Sequence, residues 1–296
     1  NAIAFGGNWW EKTHVQTGKA ITRTLDLTKP WIGNIDDAAQ WEKARKVREA
    51  LAISIDRAGI NKGIFLGQGA AGYTPGWPTS EPGFKESWKY ACDVAKAKAL
   101  LTEAGYANGF KAEWWVGPSG DGVTMGEAIG GSWQTDLKVS VEFDRTVYGV
   151  TFRPSIINRS VNKIWWCGTD GINFPPVWPK GFLLSTMSDG GFMCGTENKK
   201  FGEIFLQMAG SADQAKLKQL SQDYFDEMRR THAQVGVVDL PQYPVYNAAK
   251  IADWKMLPEG KGVVGGLNSL FTVKVKYTRP GGAGYQPRPT IHNVAH

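Results

Sequence analysis

The densest run of chemically capable side chains is Trp165-Trp166-Cys167-Gly-Thr-Asp170-Gly-Ile-Asn173-Phe174-Pro-Pro-Val-Trp178. It puts aromatic faces, one carboxylate and one amide into a single strand-to-loop segment. Such a mix suits a ligand with a ring or an extended backbone and a positive group, stacked on Trp and paired with Asp. The alternative is structural: Trp165 in the core, Asp170 capping a turn, and the remainder packing a loop. Local spacing alone leaves both readings open. Double tryptophans recur at Trp9–Trp10 and Trp114–Trp115, and in each strand-like pair one ring is expected to face the core and the other a surface or cleft.

Signatures of catalysis are missing. The sequence has no GxSxG elbow, no HExxH, no GxxxxGK[ST] and no EF-hand loop. His14 and His232 are expected to cap or pack, and Asp36–Asp37 stand where a helix dipole explains them. Gly67-Gln-Gly69-Ala-Ala-Gly72 spells a dinucleotide loop, but Tyr73-Thr-Pro-Gly-Trp-Pro78 follows and forbids the helix that would hold a pyrophosphate. An ordinary loop is expected there. Cys92, Cys167 and Cys194 form no CxxC pair and no His stands near them at ligand spacing, so neither a zinc site nor any other cofactor is expected.

The elements around these residues read as α/β. Ala44, Val47, Leu51 and Ile55 draw one apolar stripe on a helix over Ala38–Arg57, with Asp36 or Asp37 as N-cap and Gly59 as its stop. Gly63 to Gly83 is irregular, with Pro75, Pro78 and Pro82. Asp93 caps a second helix to Ala104, and Gly105 takes the left-handed C-terminal position. Phe110–Val116 and Leu137–Phe143 alternate as strands around a helix near Thr124–Gln134, a βαβ unit. Ile21–Leu27 also alternates. A further helix spans Ala212–Ala233, Val161–Trp166 is a short apolar strand, and Phe271, Val273, Val275 and Tyr277 alternate in a late one. The tail Thr278–His296 reads as loosely structured.

The 296 residues include 42% hydrophobic and 21% charged side chains, enough apolar material for a sizeable core without disulfides. The net charge of +6 is scattered, with no basic stripe of the kind nucleic acid requires. No apolar run is long enough to span a membrane. Thirteen tryptophans are the compositional oddity. Asn1 is not an initiator methionine, and no signal peptide precedes it, so a processed chain or a fragment is expected.

Two stretches resemble one family. Val47-Arg-Glu-Ala-Leu-Ala-Ile-Ser-Ile-Asp-Arg57 is similar to a helix of the family 5 extracellular solute-binding proteins, the peptide- and oligopeptide-binding receptors of ABC importers. Asp93-Val-Ala-Lys-Ala-Lys-Ala-Leu-Leu-Thr-Glu-Ala-Gly-Tyr106, followed by Asn108-Gly-Phe110, resembles a second segment of that family, in the same order and at about its separation. Tyr246-Asn-Ala-Ala-Lys-Ile-Ala-Asp-Trp254 resembles a late one, and the likeness runs from about Ala38 to Trp254.

The resemblance implies a non-enzymatic, two-lobed, monomeric receptor that closes on a peptide or similar small polar solute and docks on a membrane permease. An oligosaccharide or a metal chelate is the alternative cargo, and a hydrolase the less favoured class. The implied fold is a periplasmic-binding-protein type II-like lobe, a mixed sheet flanked by helices. Residues 1–35 would be inter-lobe strands leading into the hinge, 36–235 the second lobe, and 236–296 a segment returning to a first lobe. Trp166 and Asp170 match the Trp and Asp that receive a peptide's amino terminus. Trp165, Asn173 and Phe174 flank them, Tyr73 and Trp77 are further cleft candidates, and Arg145, with Arg153, is the candidate for a ligand carboxylate. The implied compartment is periplasmic or extracellular, with a lipid anchor as an option, and there Cys167 and Cys194 could pair.

Overall fold

Carboxylates at helix starts punctuate the first half of the chain. Asp37 accepts from Ala39 N and Gln40 N, both at 3.1 Å, and opens helix α1, Ala38–Ile53. The stripe Ala44, Val47, Leu51 and Ile55 is buried throughout. Gly59 does not stop this helix. It ends at Ser54, and Asp56 caps a separate helix α2, Arg57–Ile64, by accepting from Gly59 N at 2.9 Å. Asp93 caps α3, Val94–Glu103, and Gly105 takes φ +81° as expected.

The computed structural model describes residues 2–13, 18–22, 24–167, 196–240, 251–255 and 274–277. The chain divides into two compact units, Asn1–Leu240 and Pro241–His296. In the first, β1 (Ala2–Phe5), β3 (Lys111–Trp115), β4 (Ser140–Asp144), β5 (Ile164–Cys167) and β6 (Gln234–Gly236) form a mixed sheet of order β4-β3-β5-β1-β6. β3 runs parallel to β4 and β5, whereas β1 is antiparallel to β5 and β6. The connection from β3 to β4 is helix α4, Asp121–Leu137, so the βαβ unit is present. Leu137 ends that helix rather than starting the strand, and Lys138 turns the chain at φ +57°.

Ile21–Leu27 forms no strand among the described residues. Asp26 instead accepts from both the amide and the hydroxyl of Thr28, a local turn that competes with sheet pairing. After Gly69, Ala70–Ala71 (β2) pairs antiparallel with Val238–Asp239 (β7), and no helix opens. A Cβ at Gly69 would stand 2.9 Å from the Asp239 carbonyl oxygen, which accounts for that glycine without any nucleotide.

Short α5, Arg153–Ile157, precedes β5. Helices α6, Lys199–Ala209, and α7, Gln214–Thr231, follow the segment 168–195. They enclose a second apolar cluster in which Trp77 and Trp88 meet edge to face at 5.2 Å beside Phe201, Tyr224 and Phe225. The second unit contains an antiparallel pair, β8 (Ile251–Lys255) and β9 (Lys274–Tyr277), the latter within the alternating run expected over Phe271–Tyr277.

Two buried guanidiniums tie segments remote in sequence. Arg48, on α1, donates to the Thr231 carbonyl at 2.9 Å and the Trp31 carbonyl at 2.7 Å. Arg57 donates from Nε to the carbonyls of Gly72 and Gly236, at 2.9 and 3.0 Å, and from Nη1 to Ala52 and Ile55. Burial pushes the two side chains down to about 9 and about 10, so both remain cationic at neutral pH. Rings take the place of carboxylates: Trp10 and Trp41 lie beside Arg48, Tyr73 and Tyr90 beside Arg57.

Arg57→Met keeps the apolar bulk but strips donors from four buried carbonyls, with an expected loss of about 2–4 kcal/mol in urea unfolding. A loss under about 0.5 kcal/mol, the range of a surface substitution, would contradict the tie. His232 yields a second expectation. Its ring faces the Tyr90 hydroxyl at 3.0 Å, Arg229 at 3.2 Å and Arg45 at 3.3 Å. Burial first, then Arg229, Arg45 and Arg48, hold it well below the ordinary 6.5. The unfolded chain therefore takes up this proton first on acidification. The His232 contribution is complete above about pH 6.5 and declines below it. His232→Asn, which suits the left-handed backbone there, should lose less stability than the parent between about pH 7.5 and 5.5. Equal losses would contradict the assignment.

Candidate functional site

Three parallel strands ending side by side create a natural crevice beyond their carboxyl ends. Here β3, β4 and β5 end at Trp115, Asp144 and Cys167. Two backbone ties hold the first two ends together: Val116 N donates to the Asp144 carbonyl at 3.0 Å, and Trp115 Nε1 to the Thr146 carbonyl at 2.9 Å. Asp144 itself is bonded by Lys163 Nζ at 2.8 Å and Thr146 N at 2.9 Å. Burial works against its charge, yet these bonds outweigh that and hold its carboxyl below the ordinary range.

Trp166 stands half-buried at the same edge, near the end of β5. Its ring rests on the start of α4, where a Cβ on Gly122 would come within 3.0 Å of Trp166 Cδ1. The loop leading there turns through Gly117 and Gly120, with φ of +80° and +91°, and Gly120 supplies no side-chain cap to α4. This edge therefore brings together an aromatic ring, first-turn amides without a side-chain cap, and a close backbone approach. Those groups can stack on and hydrogen-bond to a polar ligand with a flat or extended body.

The other sequence candidates are distributed differently. Trp165 is 1% exposed and packs with Trp9, Trp115 and Phe152, its ring 5.3 Å from that of Phe152. Trp77 is also 1% exposed, inside the α6–α7 cluster. Both are core residues here, a correction that follows from rings covered by other rings. Tyr73 is half-buried, with the Arg57 guanidinium 5.5 Å from its ring centre, and stands apart from the strand ends. Arg145 is exposed just beyond β4 and pairs with Glu127 of α4. Arg153 begins α5. Asp170, Asn173 and Phe174 lie outside the described residues, as does Cys194. Cys92 is an exposed free thiol. Among the described residues no group of His, Cys, Asp and Glu could hold a metal ion.

The expected division of each double Trp into one core and one free ring holds for Trp165–Trp166 alone. Trp9, Trp10, Trp114 and Trp115 are all buried, Trp114 and Trp115 because the sheet is covered on both faces. Trp114 stacks on Trp133 of α4 at 5.1 Å, and Trp115 on Phe152 at 4.5 Å. Gly122 is the site residue that sequence reasoning missed. Its signal lay in the Gly117-Pro-Ser-Gly120-Asp-Gly122 run, which leads into the start of α4.

A mixed sheet flanked by helices, with three parallel strands ending together, is an architecture suited to binding a solute. Residues 25–186 match the family described as bacterial extracellular solute-binding proteins, family 5, middle region. The chain belongs to that family. Heme-binding protein A of Haemophilus influenzae is 40% identical over 73 residues, covering 25% of this chain and 13% of that protein. The oligopeptide-binding protein AppA of Bacillus subtilis is 27% identical over 193 residues, 57% of this chain and 31% of that protein.

Among solved structures, HbpA2 from Haemophilus parasuis superposes with a TM-score of 0.56 at 19% identity, covering 78% of this chain and 45% of that one. The dipeptide-binding protein of Pseudoalteromonas sp. SM9913, solved with Met-Leu, gives the same values. The fold is thus that of a periplasmic-binding-protein type II lobe, and the chain spans less than half the length of these structures.

Gly122→Ala places a methyl against the Trp166 ring and should shift its indole N–H resonance. Stability should change by less than about 1 kcal/mol, because alanine's helix propensity offsets the crowding. An unmoved Trp166 signal would contradict this packing.

Proposed function

We propose that this chain is the ligand-holding second lobe of an importer receptor, which captures a peptide or similar small polar solute and delivers it to an ABC permease. Family membership over residues 25–186 carries the reading. The arrangement at the ends of β3, β4 and β5 supports it, since it offers surface and hydrogen bonds but, among the described residues, no nucleophile held by a base. The protein in this reading is not an enzyme. It is a monomer that works in the periplasm or outside the cell, free or lipid-anchored. No described helix is long and apolar enough to cross a membrane.

In this reading, residues 1–35 lead in through the hinge, 36–235 form the second lobe, and 236–296 return toward a first lobe. Ligand contacts made by both lobes favour the closed state that the permease recognises. Trp166 stacks on the ligand backbone, and Asp170 receives its ammonium group through a charge-assisted hydrogen bond. Arg145, with its Glu127 partner, stands at the same edge for the opposite end of the ligand.

In the complete protein, Trp166→Ala and Asp170→Ala should each weaken calorimetric peptide binding by about 1–3 kcal/mol. The Asp170 effect should vanish when the peptide's amino group is acetylated. Unchanged affinity in both variants would overturn the site, and turnover of the peptide would overturn the class.

A further inference from the structure

A cavity of about 370 Å³ opens between α2 and the middle of α4, lined by Ile55, Ile60, Ile64, Ile129 and Trp133. It is separate from the strand-end crevice. Ile129 and Trp133 follow Gly122 by two to three helical turns, on the order of 10–16 Å along the axis. Its volume exists because α2 carries glycine at two positions one turn apart, Gly59 and Gly63, which both line it. A Cβ at Gly63 would meet nothing within 4 Å.

A further observation says what this cavity would take. Asp56 is the one charged residue among the described residues that line the cavity. Among the described residues no Lys, Arg or His side chain forms an ion pair with Asp56. Asp56 Oδ1 caps Gly59 N, which fixes the carboxylate at the cavity mouth.

An apolar floor beside one carboxylate that forms no ion pair is complementary to one kind of small molecule, a protonated amine on an apolar body. We propose that the α2–α4 cavity is a second binding site, for a small organic cation with an aromatic or branched aliphatic body. The body lies on Ile60, Ile64, Ile129 and Trp133, and the ammonium faces Asp56. The site is independent of the strand-end crevice and of the solute held there.

The test is calorimetric and NMR titration of the 296-residue chain with phenethylammonium, and with 2-phenylethanol as its neutral counterpart. Saturable binding is expected, with shifts at Ile60, Ile129 and the Trp133 indole, and with the alcohol about tenfold weaker. Asp56→Asn retains an N-cap and should weaken the amine about tenfold while leaving the alcohol unchanged. Gly63→Leu fills open space on a helix and should abolish binding of both without loss of stability. Absence of saturable binding, equal affinity for the alcohol, or indifference to Gly63→Leu would each overturn the proposal. Displacement of the amine by a peptide ligand would show the strand-end crevice being read instead, and would overturn it too.

Discussion

Two guanidiniums without carboxylate partners hold this lobe together. A charge taken out of water must be compensated, and here backbone carbonyls and aromatic faces do it instead of acids. The carbonyls belong to segments that local structure cannot bring together: Trp31 and Thr231 around Arg48, Gly72 and Gly236 around Arg57. Each arginine thus ties together segments remote in sequence, and each gives donors to buried backbone carbonyls. Both lie in the stretch Val47–Arg57, one of the two runs that carry the family resemblance. Structure explains the two arginines: rigid, multiply donating side chains on α1 and at the start of α2, each at a junction of the lobe.

With those junctions fixed, most of the described tryptophans form walls, and Trp166 forms a platform. Trp114 and Trp133 stack on the α4 side of the sheet, while Trp9, Trp115 and Trp165 pack with Phe152 on the other. Trp77 and Trp88 fill the α6–α7 cluster. Such buried rings supply large apolar area with fixed geometry, and they hold the strand ends in place. Trp166 differs because it follows Trp165 by one residue and so points to the other face, where Gly122 leaves room for it. The parity of a strand and the absence of one methyl group produce the half-exposed ring. The excess of tryptophan is mainly a feature of the core, and only secondarily of the site.

Elements with both a period and a punctuation mark were legible in the sequence. Asp93 and Gly105 bracket α3, and the alternation of Phe110–Val116 predicts β3 because both faces of that strand are packed. Failures came where one signal stood alone. Gly59 was expected to end a helix, yet Asp56 had already capped another and Gly59 lies inside it, donating to the Asp56 carboxylate. Ile21–Leu27 alternates without a strand to pair with. Helix α6 went unread although Phe201, Ile204 and Met208 mark its buried face, with Asn198 and Gly210 at its ends. The site was legible in part. The aromatic pair falls in β5, at the candidate site, but tertiary packing decided which ring stayed free, and no local pattern carries that information.

The central claim is that ligand is held across the carboxyl ends of β3, β4 and β5. A crystal structure of the complete protein with a bound short peptide tests it most directly. The account predicts a peptide backbone in van der Waals contact with the Trp166 ring and within hydrogen-bonding reach of the loop that ends at Gly122. A peptide seated away from the strand ends, with Trp166 untouched, would contradict it.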